Sequence, residues 1–159
     1  MLARALRLSS SSKALQTGGR TLHRAFASGP PEPRVSELEV HRYQAAASRT
    51  LECLQETLEK FIDEADDESD VDFSGDVLNL TLDGHGTFVL NKQGPNKQIW
   101  LSSPVSGPLR YDLDVEDLDW VSTRDRCSLG TTLSRDIKQL TGRRIDFNVK
   151  SAISQALRA

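Results

Sequence analysis

Acidic side chains recur between residues 52 and 76 at a spacing that puts them on one surface. Four of them, Glu52, Glu56, Glu59 and Asp63, lie three or four positions apart, so on a helix they form a single line. Seven more follow them: Glu64, Asp66, Asp67, Glu68, Asp70, Asp72 and Asp76. Lys60 is the one cation in this segment. We call these eleven acids the acidic ridge.

Carboxylates are hard oxygen ligands, which suit Mg²⁺, Ca²⁺, Mn²⁺ and, less selectively, Fe²⁺. No histidine or cysteine is in register with the ridge to complete a tight transition-metal cage. The pattern therefore predicts weak, exposed, multi-site cation binding. Docking of a basic partner protein is an alternative use of the same surface, and an ordinary solvated acidic face is a third. The length of the run, its continuity across two elements and its near absence of cations disfavour the solvated face. The residues leave cation binding and docking open.

A second candidate surface follows from strict alternation in residues 87–112. If Ile99 and Leu101 point to the core, Trp100 points away from it, in the polar phase of its strand. Trp and Arg are the residues that most often anchor protein interfaces. We therefore predict a protein-docking surface, named the docking patch, made of Asn91, Gln98, Trp100 and Arg110. The alternative is a β-bulge that shifts the phase by one residue and buries Trp100.

The elements that must carry these surfaces are two helices and a sheet. An apolar stripe with helical spacing marks the first helix: Tyr43, Ala47, Leu51, Leu54, Leu58, Phe61 and Ile62. Short alternating segments separated by close turns follow up to Val121 and predict an antiparallel meander. Leu129, Leu133, Ile137 and Leu140 mark a second helix.

This order of elements predicts an α+β fold, a two-layer sandwich. The N- and C-terminal helices would pack on one face of an antiparallel sheet of five to seven strands, and the other sheet face would stay wet. After the second helix we expect a short strand at Ile145 and Phe147 and a tail that packs on the helices.

Charge is distributed unevenly over the 159 residues, whose net charge is −3. Residues 1–31 hold five cations and no acid, which leaves 15 cations and 23 acids in the other 128 residues, a net charge of −8. So acidic a domain disfavours nucleic acid as a partner.

No apolar run reaches the roughly 18 residues of a membrane span, so no membrane insertion is expected. Two cysteines 74 positions apart exclude a disulfide scaffold.

The basic, serine-rich N-terminus has the composition of a mitochondrial transit peptide. We predict a transit peptide over residues 1–26, with cleavage after Phe26, and a linker over 27–35. The folded domain is expected over 36–147, followed by a C-terminal tail over 148–159.

Residues 91–104, with the sequence NKQGPNKQIWLSSP, closely resemble the signature segment of the frataxin family. The tripeptides Ser106-Gly107-Pro108 and Arg110-Tyr111-Asp112 extend the resemblance. It implies a helix–sheet–helix sandwich in the mitochondrial matrix and a role in iron–sulfur cluster assembly. In that role the protein binds the complex of cysteine desulfurase and scaffold protein and accelerates persulfide transfer, as an allosteric activator. The resemblance assigns this contact to the docking patch.

The resemblance also implies weak, surface-bound iron, Fe²⁺ or Fe³⁺, on the acidic ridge. The residues that match the family's iron ligands are Glu52, Glu56, Glu59, Asp63, Glu68, Asp70 and Asp72. The alternative function is an iron chaperone or storage protein with ferroxidase activity, which delivers Fe²⁺ for cluster and haem synthesis. The sequence contains no conventional catalytic constellation. We expect a monomer that can form iron-driven oligomers. Arg49 departs from the family pattern and weakens the N-terminal part of the ridge.

Overall fold

The computed structural model describes residues 38–65 and 67–158. The predicted transit peptide, 1–26, and linker, 27–35, lie outside them. Three helices and six strands are present among the described residues: α1 (Val40–Asp63), β1 (Asp70–Ser74), β2 (Val77–Leu82), β3 (Gly86–Gln93), β4 (Gln98–Ser103), β5 (Gly107–Asp114), β6 (Asp119–Ser122), α2 (Leu129–Thr141) and α3 (Val149–Arg158). A short 3₁₀ turn, Gly94–Asn96, joins β3 to β4.

The sheet has six strands in sequential order, each antiparallel to its neighbour. Alternate residues face the helices and are buried: Leu78, Leu80, Leu82, Phe88, Leu90, Ile99, Leu101, Leu109, Tyr111 and Leu113. This burial pattern and the meander confirm the predicted two-layer α+β sandwich, because a sheet with one covered face needs period-two hydrophobicity.

Helix α1 lies on the sheet through its apolar stripe, with Leu51, Leu54 and Leu58 fully buried. Its first turns are fixed to two strands by hydrogen bonds. The Tyr43 hydroxyl donates to the Gln98 carbonyl in β4 at 2.8 Å. In β6, the Trp120 indole N–H donates to the Thr50 hydroxyl at 2.9 Å. The Tyr43 and Trp120 rings meet edge to face at 6.1 Å. The helix that carries four of the eleven ridge acids therefore has a fixed position on the sheet.

Helix α2 begins and ends where the sequence provides capping residues. Ser128 is the N-cap, and its hydroxyl accepts the Thr131 N–H at 3.2 Å. Gly142 is the C-cap with φ +71°, a left-handed conformation that favours glycine. Besides the predicted apolar face, α2 buries one charged side chain, Asp136, whose exposed fraction is 0%.

The expected short strand at Ile145 and Phe147 is wrong. Residues 143–148 have no regular structure, and α3 follows them and packs along α1. Val149, Ala152 and Ile153 of α3 are buried. With Ala156 and Leu157 they follow the i, i+3, i+4, i+7, i+8 pattern of a helix face. The predicted domain limits, 36–147 with a tail over 148–159, stay a prediction.

Raising the pH from 10 to 12 is expected to destabilise the fold. An exposed tyrosine loses its proton near pH 10, whereas burial raises the pKa of Tyr43 and of Tyr111 to about 12. The folded state holds these protons more tightly, so their contribution to stability is complete below pH 10 and is lost as the pH rises to 12. Urea unfolding across this window should show the free energy of unfolding falling as the pH rises. The variant Tyr111→Phe should make this fall less steep. An unchanged slope in that variant would contradict the assignment.

Candidate functional site

The docking patch lies on the sheet face opposite the helices, as the alternation predicts. Asn91 pairs with Trp100 across β3 and β4, and Trp100 pairs with Arg110 across β4 and β5. No bulge interrupts this register, so Trp100 lies on the outer face while Ile99 and Leu101 are buried. The indole is partly rather than fully exposed. Four predicted residues, Asn91, Gln98, Trp100 and Arg110, therefore lie together on adjacent strands.

Hydrogen bonds hold the Trp100 ring in one orientation. Its indole N–H donates to the Gln98 side-chain oxygen at 2.9 Å, and the Gln98 side-chain amide donates to the Asp112 carboxylate at 2.8 Å. The Arg110 guanidinium carbon lies 4.6 Å from the centroid of the Trp100 ring. A stacked guanidinium of this kind contributes about 0.5–1 kcal/mol at an exposed site. The patch is thus largely ordered before any partner arrives, which lowers the entropic cost of binding.

Asp112 is a member of this arrangement that the predicted patch does not include. Its role follows from register, because Gln98 and Asp112 are directly opposite each other on β4 and β5. The sequence signal for it is alternation, because Asp112 is two residues from Arg110 and so points to the same face. Its carboxylate fixes Gln98, and Gln98 in turn fixes Trp100.

A cavity of about 350 Å³ opens beside the indole. Trp100, Arg110 and Asn91 line one part of it, and Leu109 and Pro108 line another. Its mixture of aromatic, apolar and cationic walls can accept a single side chain from a partner protein. The docking patch therefore presents the Trp100 indole with a recess next to it, and is not a flat surface.

The acidic ridge has the predicted placement on α1 and on the edge strand β1. Glu52, Glu56 and Asp63 are exposed, whereas Glu59 is partly buried and accepts a hydrogen bond from the Gln55 side chain at 2.7 Å. Asp70 and Asp72 are exposed on β1, and Glu68 precedes that strand. Asp66 lies outside the described residues.

Three cations from outside residues 52–76 reach the ridge. Arg49 lies 3.3 Å from the Glu52 carboxylate and 3.4 Å from that of Glu56. Lys92 of β3 lies 2.6 Å from Asp76, and Arg143 lies 3.4 Å from Glu64. Counting charges in the 52–76 segment missed these pairs, because two of the three cations come from distant parts of the chain. Within 38–65 and 67–158, Asp63, Glu68 and Asp70 form no ion pair.

The ridge offers separate carboxylates. Among the described residues, no group of three or more His, Cys, Asp or Glu side chains is arranged to enclose a metal ion. Hydrogen bonds from Ser69 hold the pKa of Asp67 below its usual value. Burial raises the pKa of the nearby Cys53 thiol, so it is a poor thiolate ligand.

Membrane insertion was not expected from the sequence. In the part of the chain that the structure describes, no helix is long and apolar enough to cross a membrane.

Comparison with known proteins gives one consistent family. The family model of the Frataxin-like domain matches residues 36–143. "Frataxin homolog, mitochondrial" from Schizosaccharomyces pombe is 40% identical over 114 residues, 71% of this chain and 70% of the relative. "Frataxin, mitochondrial" from Arabidopsis thaliana is 38% identical over 128 residues, 79% of this chain and 68% of the relative. These names support the predicted mitochondrial location.

Solved structures agree with the sequence relatives. Yeast frataxin superposes with a TM-score of 0.58 at 32% identity and covers 85% of this chain and 98% of its own. A crystal structure of trimeric frataxin from Saccharomyces cerevisiae, complexed with ferrous iron, has a TM-score of 0.56 at 38% identity and covers 62% of this chain and 87% of its own. The signature segment, the sheet that displays it and these likenesses lead to one conclusion: this chain belongs to the frataxin family.

Proposed function

We propose that this protein activates mitochondrial iron–sulfur cluster assembly by docking on the complex of cysteine desulfurase and scaffold protein. The observation that carries the proposal is the Trp100–Arg110 pair, ordered on the outer sheet face beside an open cavity. Burying an indole together with a stacked guanidinium is the usual anchor of a protein interface. Docking there favours the conformation of the complex in which persulfide passes from the desulfurase to the scaffold.

The acidic ridge assists the same docking through charge. Residues 32–159 carry a net charge of −8, and the ridge concentrates much of it on α1 and β1. A basic surface on the partner complex would be attracted over several ångströms, which raises the association rate more than the final affinity. The ridge is expected to set how fast the complex forms, and Trp100 how long it lasts.

Iron handling is the second candidate function. Asp63, Glu68 and Asp70 are without ion-pair partners among the described residues and are free to bind cations. The yeast relative complexed with ferrous iron makes Fe²⁺ the first ion to test. Under this proposal the protein holds iron weakly, delivers Fe²⁺ for cluster and haem synthesis, and oxidises Fe²⁺ as a ferroxidase. That relative is trimeric, whereas we propose a monomer here that forms oligomers with iron.

Persulfide transfer in a reconstituted desulfurase–scaffold complex tests the first proposal against the second. Adding this protein should accelerate transfer, and Trp100→Ala should abolish the acceleration. Neutralising the ridge at Glu56, Glu59 and Asp63 should leave most of it at saturating protein. If the ridge variant lost acceleration while Trp100→Ala kept it, the docking proposal would be wrong.

Iron affinity is expected to be micromolar or weaker, because separate carboxylates give each cation few charged ligands, and affinity rises with their number. The variant Glu56→Gln, Glu59→Gln, Asp63→Asn should bind fewer Fe²⁺ ions in anaerobic titration calorimetry. A matched control neutralises three exposed acids elsewhere, Glu39, Asp117 and Asp146, and should keep the ridge stoichiometry. Tight single-site binding, or equal losses in both variants, would refute the ridge as the iron surface.

A further inference from the structure

One buried carboxylate belongs neither to the ridge nor to the docking patch. Asp136 of α2 has an exposed fraction of 0% and lies between the helix layer and the sheet. Its carboxylate accepts the Ser103 hydroxyl at 2.7 Å and the Arg135 Nε–H at 3.1 Å. A buried charge is costly unless it is paired and hydrogen-bonded. The groups that bond to this carboxylate therefore show what it holds in place.

Ser103 connects Asp136 to the turn between β4 and β5. While its hydroxyl donates to Asp136, its oxygen accepts the backbone N–H groups of Val105 and Ser106, each at 3.1 Å. One donor and two acceptor sites are all that a hydroxyl has, so Ser103 is fully used. Arg135 adds a further bond to the same turn, from its guanidinium to the Ser106 hydroxyl at 2.9 Å. We call Asp136, Arg135, Ser103 and Ser106 the hairpin brace.

The braced turn closes the hairpin that carries Trp100 and Arg110. Ser103 and Gly107 are the last pair of the β4–β5 ladder, three residues beyond Trp100 and three before Arg110. Two bonds outside the brace also reach this end: the Thr123 N–H donates to the Arg110 carbonyl at 2.9 Å, and the Arg124 guanidinium donates to the Ser106 carbonyl at 3.5 Å. β5 pairs with β6 only from Tyr111 onward, and Pro108 has no N–H to donate to the ladder. The brace adds a tie from the turn itself to α2, through Ser103 and Ser106.

We propose that Asp136 is a positioning residue for the docking patch: through Ser103 it fixes the β4–β5 turn and thereby the separation of Trp100 and Arg110 and the width of the cavity beside them. Asp136 and Ser103 are buried on the helix side, so neither can touch a partner that covers the outer face. Their effect on binding must pass through the hairpin. The consequence for binding rests on the proposed function, whereas the positioning itself does not.

The test compares Asp136→Asn and Ser103→Ala with a buried hydrogen-bond variant on another part of the core. Thr50→Ala is that control, because it leaves the buried Trp120 indole unpaired without touching the hairpin brace. Two measurements are made on the full chain: the ¹⁵N–¹H resonance of the Trp100 indole together with the Arg110 amide, and the Kd for the desulfurase–scaffold complex. Melting temperatures identify variants with equal loss of stability.

Both brace variants should shift the Trp100 indole and Arg110 resonances and raise the Kd about fivefold, whereas Thr50→Ala at equal melting temperature should do neither. If Asp136→Asn does not fold, Ser103→Ala decides alone, since it keeps the Asp136–Arg135 pair. Brace variants that lose stability but leave both readouts like those of Thr50→Ala overturn the proposal. Should Trp100→Ala bind as tightly as the unaltered protein, the docking function fails, and the resonances alone then support or reject the brace.

Discussion

Replacing Trp100 by alanine should weaken binding to the desulfurase–scaffold complex by about thirtyfold or more, the loss that corresponds to a hot-spot side chain of roughly 2 kcal/mol. Gln98 and Arg110 already hold the ring in place. Docking therefore loses little side-chain entropy, and most of the free energy gained by burying the ring contributes to affinity. Its removal leaves the core intact, because Trp100 is on the outer face. The free energy of unfolding should therefore change by only about 1 kcal/mol or less. Titration calorimetry and urea unfolding measure the two effects.

Thr87→Ala is the matched control for this variant. Thr87 is exposed on the same sheet face, on β3, but lies away from the indole and its cavity. Binding should be unaffected by it. If Trp100→Ala bound with the affinity of the unaltered protein, the outer sheet face would not be the contact surface. An equal loss from Thr87→Ala would indicate a general disturbance of the sheet.

Ile153→Ala should destabilise the protein by about 2–5 kcal/mol, the range for truncating a buried aliphatic side chain. Ile153 is fully buried where α3 packs along α1, and removing three carbons there leaves a cavity that the two helices close only in part. The melting temperature should fall by roughly 10 °C or more. Differential scanning calorimetry measures this. Gln155→Ala, on the exposed side of α3, should change it very little.

A small effect of Ile153→Ala would have a definite meaning. If stability changed by less than about 0.5 kcal/mol, α3 would not belong to the cooperative unit, and residues 36–147 would fold as a domain without it. The expected large effect would place α3 in the same cooperative unit as α1 and the sheet.

The strands and their phase could be predicted because a sheet with one covered face repeats every two residues. Leu78, Leu80 and Leu82 set the phase of β2, and Ile99 and Leu101 set that of β4, so Trp100 fell on the outer face without further information. The C-terminal segment was predicted incorrectly for a related reason. Ile145 and Phe147 suggest alternation over only three residues, whereas the helical pattern that begins at Val149 extends over nine.

The sites were predictable where neighbours in the sequence are neighbours in space, and not elsewhere. The line of acids on α1 follows from helix geometry. Arg143 on Glu64 and Lys92 on Asp76 connect residues that only the tertiary fold brings together. The hairpin brace is similar, since 33 positions separate Ser103 from Asp136. Such pairs cannot be predicted from one sequence, because they depend on how α2 packs on the sheet.

The two tryptophans differ in environment in a way that optical spectroscopy can use. Trp120 is fully buried with its N–H bonded to Thr50, whereas Trp100 is reachable from water and has a cationic guanidinium over its ring. Iodide, an anionic quencher, should be attracted by the Arg110 guanidinium and quench the fluorescence of Trp100, whereas the fluorescence of Trp120 should change little. The unlabelled protein therefore contains two tryptophan fluorophores, one that reports unfolding and one that reports coverage of the outer sheet face.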